Sequence, residues 1–169
     1  MLTKVDIEKY FLAEKQVGLV IFIVGIIALI LAVVCYFVLR APFYKGAAIP
    51  LVLIGAIQCF IGFSHYTSSD KSRVRNVYAF DMNPQELKDK ELPRVAKALT
   101  GIATFKWGAV FLLLAGITLF LLYRSRADQS IWPGLGVALA LQAVFMFGAE
   151  FVAEKQTKGY HEQLKEFTY

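Results

Sequence analysis

The chain has 169 residues, 57% of them hydrophobic, with a formal net charge of +5 and a mean hydropathy of +0.55. Charged residues make up 18% and sit in blocks, where a soluble domain carries about 25% spread along the chain; an ordinary soluble domain is therefore excluded. The positive balance reads as a topology signal and as attraction to anionic headgroups. No basic run is interleaved with stacking aromatics, so nucleic acid is not an expected partner.

Residues 1–16 mix Leu2, Val5, Ile7, Phe11 and Leu12 with near-cancelling charges at roughly helical spacing. This predicts a cytoplasmic amphipathic lead-in beside the membrane. Val17–Leu39 then runs 23 residues without a charge. About 20 apolar residues at 1.5 Å rise cover the roughly 30 Å hydrocarbon core, so this run can span a bilayer as a helix. It is too long for a signal peptide's apolar region and reads as a retained first span.

Residues 41–46 form a short turn, and the second span runs from Ala47 to about Phe63 with Pro50 in its first turn, so that 17–66 is one transmembrane hairpin. Residues 67–100 are the longest polar stretch and read as a cytoplasmic loop. Within it, Asn83-Pro84-Gln85-Glu86 marks the start of a short helix, and Pro93 breaks or restarts it. The third span, about Ile102–Tyr123, a second short turn at Arg124–Ser130 and the fourth span, from Ile131 to Ala149, make 101–150 a second hairpin. The tail, 151–169, is charged, with Gly159 as its expected helix stop.

The fold class is thus an all-α integral membrane protein: four transmembrane helices in two antiparallel hairpins, plus short cytoplasmic amphipathic helices. Thirteen Lys and Arg fall in the N-terminal stretch, the 67–100 loop and the tail, against four in the two short turns. This places both termini in the cytoplasm. With no Asn-x-Ser/Thr sequon and no disulfide framework, the sequence is compatible with a bacterial inner membrane. Cys35 and Cys59 differ in depth by roughly 10 Å at helical rise, too far for a disulfide, and read as small apolar fillers.

At an offset of 83 the halves resemble each other: Gly18, Gly25, Ala32 and Pro50 map onto Gly101, Gly108, Ala115 and Pro133. A one-residue shift past Pro50 aligns Gln58 with Gln142. This pattern points to an internal duplication. The alternative is an ordinary four-helix bundle whose small residues serve packing. In either case, small residues seven apart lie on one helix face and let a neighbouring backbone approach closely.

Five polar residues at membrane depth form the candidate functional cluster: Glu150, His65 and Lys106 near the cytoplasmic interface, and Gln58 and Gln142 nearer mid-membrane. Ionisable groups there are costly and mark either function or a snorkelling end. Glu150 is the most embedded carboxylate, and its pairing with His65 or Lys106 is the expected contact. A Gln at mid-membrane bonds across helices or lines a solute path. No catalytic motif occurs, and His65 and His161 are too few for a metal site. The expectation is a non-enzyme without metal or cofactor. It would lie in the lipid bilayer and bind another membrane protein, a membrane-inserting toxin (an accessory or immunity-type role) or a second copy of itself. The alternative is an oligomeric small channel or transporter subunit. A second acid or base facing Glu150 in the bundle interior favours the alternative; a lipid-facing Glu150 favours the first.

Overall fold

A computed structural model describes residues 2–126 and 130–167. It is all-helical among the described residues. α1 covers Lys4–Val33 and widens its last stretch, Val34–Leu39, into a π-helical segment; α2 covers Pro42–Met82, α3 Pro84–Tyr123 and α4 Ile131–Glu166. All four are long and apolar enough to cross a membrane. At 41 residues α2 is about 61 Å long, roughly twice the hydrocarbon core. The helices therefore extend well past their apolar segments at the end that carries both chain termini.

The helix ends follow local chemistry. Thr3 caps α1: its hydroxyl accepts from the Asp6 N–H at 3.2 Å, and the Asp6 carboxylate accepts from the Thr3 N–H at 3.0 Å. The π-helical segment stops at Arg40, whose φ of 55° is left-handed and whose Nε donates to the Phe37 carbonyl at 2.8 Å. Pro42 then fills the first position of α2, so Pro50 lies inside the helix rather than in its first turn. The second turn falls partly on residues 127–129, outside the described residues, as do 168 and 169.

The 67–100 stretch is not a loop. α2 continues to Met82, Asn83 alone links it to α3, and Asn83 caps α3 by accepting from the Glu86 N–H at 3.1 Å. Nor are there separate short amphipathic helices: the lead-in forms the first turns of α1, Pro93 lies within α3, and α4 passes through Gly159. The physical reason is a second apolar core at the termini end. Leu2, Ile7, Tyr10 and Phe11 of the N-terminal segment pack with Leu87 and Val95 of α3 and with Tyr160, Leu164 and Phe167 at the end of α4. The rings of Tyr10 and Tyr160 stack at 4.1 Å, and those of Phe80 and Phe167 at 5.5 Å. A helix that buries only a narrow stripe in such a bundle looks polar on average. Each large apolar side chain buried there contributes about 1.5–3 kcal/mol, enough to carry a helix past one Pro or Gly.

Along the apolar segments, α1 packs on α2 through Gly18 and Gly25 against Gly62 and Gly55; a Cβ on Gly25 would stand 2.8 Å from the Gly55 carbonyl oxygen. α3 packs on α4 through Gly116 against Gly136 and Ala140. Here the expected stripe is displaced. Gly101 and Gly108 face nothing within 4 Å, and Ala109 and Gly116, one position further on, are the buried small residues of α3. One residue turns a helix by about 100°, so the register that aligns Gln58 with Gln142 is also the register of the packed faces. α2 and α4 come closest at the short-turn end. A Cβ on Gly46 would lie 2.0 Å from the Ile131 carbonyl oxygen, and one on Gly134 1.8 Å from that of Phe43.

Candidate functional site

From this tight contact α2 and α4 run towards the termini end and stay joined as far as Gln58 and Gln142. There the Gln58 Nε2 donates to the Gln142 Oε1 at 2.9 Å, with both side chains buried. Beyond that bond a cavity of about 280 Å³ lies among all four helices. Its walls are apolar, with Ile21 of α1, Ile54 and Ile61 of α2, Phe105 of α3, and Phe145 and Met146 of α4. Gln58 forms one end. Glu14, His65 and Glu150 line the other, closed by the Tyr10–Thr157 layer that begins the second core. Gln58 and His65 stand seven residues apart on α2, so the ends are about 10 Å apart.

The charges are unevenly matched. The His65 Nδ1 is 3.8 Å from the Glu14 Oε1, and an Arg94 nitrogen is 3.9 Å from the same oxygen. Arg94 is otherwise committed to Glu91, donating at 2.6 and 2.9 Å to its carboxylate, which is 1% exposed. Glu150 forms no hydrogen bond or ion pair among the described residues. Its electrostatic neighbour is His65. His65 and Arg94 both stand within 4 Å of Glu14, so Glu150 is the carboxylate of the cavity left without an ion-pair partner among the described residues. Tyr10, outside the apolar segment of α1, is buried deeply enough that its phenol is pushed up to about 12; it stays a neutral hydroxyl beside Glu14. The Gln58 Oε1 is buried and has no partner, although a buried amide oxygen normally accepts a hydrogen bond.

Of the five residues singled out from sequence, Glu150, His65 and Gln58 line one cavity, and Gln142 stands directly behind Gln58. Lys106 is elsewhere: its Nζ bonds the Glu154 Oε2 at 2.5 Å on the α3–α4 seam, near the Phe147 and Phe151 rings, and Lys158 takes the other oxygen at 2.6 Å. The expected Glu150–Lys106 pair is therefore replaced by Lys106–Glu154, one helical turn further along α4. Glu14, Tyr10 and Thr157 were not singled out. Glu14 carried a signal: it precedes Gly18 by four residues and Gly25 by eleven, on the face that those glycines mark as the packed one.

Among the described residues no three His, Cys, Asp or Glu side chains gather to hold a metal ion. Both cysteines are free. The chain matches no family model, and no curated protein or solved structure is significantly similar to it.

Proposed function

We propose that the chain is a non-catalytic, multi-pass inner-membrane protein whose central cavity holds a small solute or ion, as a subunit of a small channel or carrier. In this reading α1–α2 and α3–α4 are two antiparallel transmembrane hairpins derived by duplication. Both termini and the second core face the cytoplasm, as the Lys and Arg count requires. The observation that carries it is the direction of Glu150. It faces the bundle interior together with His65 and a second acid, Glu14, whereas a docking surface for a partner would turn it outward. A dry-walled cavity with a few convergent polar groups is the usual form of a small-ligand site. Four helices rarely enclose a path alone, so self-association belongs to the proposal.

A second reading, docking of another membrane protein in an accessory or immunity-type role, is favoured by the outer face of α3. There Gly108 is open between the strongly exposed Trp107 and Phe111, a place where a partner helix could approach closely.

Flux of protons and of small monovalent cations, methylammonium included, in liposomes separates the two readings. Wild-type protein should raise flux several-fold over empty vesicles. Gly101→Phe should return it to background, because Gly101 lines the cavity and a Cβ there meets nothing within 4 Å, which leaves room for the ring to occupy the cavity. Vesicles that stay tight with wild-type protein would contradict the conducting reading and leave partner docking in its place.

A further inference from the structure

We propose that the cavity's occupant is an organic ammonium ion with a compact apolar body and a hydrogen-bond donor at its far end. This rests on the solute reading above and specifies its chemistry.

Charge decides the first part. Glu14 and Glu150 line the cavity; Glu14 stands 3.8 Å from His65 and 3.9 Å from Arg94, whereas Glu150 forms no ion pair among the described residues. An anion would meet the unpartnered Glu150 in a poorly solvated space, where such repulsion is strong. A bare metal ion would need several oxygen or nitrogen ligands, and no three His, Cys, Asp or Glu side chains gather for one among the described residues. An ammonium group instead satisfies one or two carboxylates by charge-assisted hydrogen bonds and leaves its carbon body to the walls.

The second part follows from the walls and from Gln58. Ile61, Phe105, Phe145 and Met146 between the two ends offer no polar partner, so the middle of the ligand is apolar. At the far end the Gln58 Oε1, on a side chain only 4% exposed, is an acceptor without a donor. Its own amide nitrogen is already used on Gln142. An O–H or N–H about 10 Å along the bundle axis from the carboxylates completes it. The volume of about 280 Å³ admits a molecule of one ring and a short chain rather than a lipid.

The test is isothermal titration of the full chain in lipid nanodiscs with three probes: tyramine, phenethylamine, which lacks the hydroxyl, and 3-(4-hydroxyphenyl)propionate, which replaces the ammonium with a carboxylate. Tyramine should bind, phenethylamine about tenfold more weakly, and the propionate not at all. Glu150→Gln should weaken tyramine by at least about tenfold, and Gly101→Phe should abolish its binding; circular dichroism and gel filtration establish that both variants fold. Binding of the propionate as tight as that of tyramine overturns the ammonium inference and leaves the solute reading intact. Equal binding of tyramine and phenethylamine overturns the far-end donor. Failure of every probe, with flux that Gly101→Phe still blocks, overturns the inference alone; failure of every probe together with tight vesicles overturns both readings.

Discussion

Gly134→Ala is expected to destabilise the protein by about 3 kcal/mol, while Gly108→Ala leaves it unchanged or stabilises it by about 1 kcal/mol. The two substitutions are chemically identical, and both glycines lie in apolar helices. Their surroundings differ. A Cβ at Gly134 would stand 1.8 Å from the Phe43 carbonyl oxygen, so a methyl group there forces two backbones apart. Neither backbone can give way as a flexible side chain would. Separation would also strain the Gln58–Gln142 bond further along the same pair of helices. At Gly108 nothing lies within 4 Å, and only the better helix propensity of Ala remains. Reversible unfolding in mixed micelles measures both. Equal effects of the two substitutions would mean that α2 and α4 do not meet at this point.

The second large effect lies at Arg94. Glu91 is among the most deeply buried side chains, and Arg94 satisfies both its oxygens while its guanidinium lies 5.2 Å from the Phe11 ring centroid. Arg94→Ala should cost about 3 kcal/mol, because it strands an ionised carboxylate among Tyr10, Tyr160 and their neighbours. The double variant Glu91→Leu with Arg94→Leu should recover most of that loss, since a buried pair contributes little beyond its apolar equivalent. A double-mutant cycle on thermal unfolding provides the check. Losses that simply add would show that the two side chains are not coupled.

The apolar segments were legible because a span must be long and apolar to satisfy its backbone within lipid. Val17–Leu39 has few other readings. The second core was not, and the reason is compositional. On α1 and α3, Ile7, Phe11, Leu87 and Val95 are separated by charged residues, and in 67–100 the buried polar side chains Ser69, Asn76 and Glu91 stand where a pattern search expects apolar ones. Proline and glycine misled at Pro93 and Gly159, where neighbours buried on either side hold the helix. At the candidate site, depth along the spans brought out Glu150, His65 and Gln58 but could not give the angle around each helix. Lys106 shares the depth of Glu150 and His65 and points to a different seam. The angle was recoverable only from packed small residues, and there the offset of 83 led to Gly108 where Ala109 is the buried one.

In the proposed function a solute can reach the apolar-walled cavity between Gln58 and Glu150. The most direct test of this access is thiol labelling in native-like membranes. Ala149→Cys, on the cavity wall, is introduced with Cys35→Ser and Cys59→Ala to remove the native thiols. A small cationic methanethiosulfonate should label it readily, an anionic one of similar size much more slowly, and Gly101→Phe should suppress the cationic reaction at least about tenfold. A thiol that fails to react, or that reacts at the same rate with Gly101→Phe in place, would contradict the account.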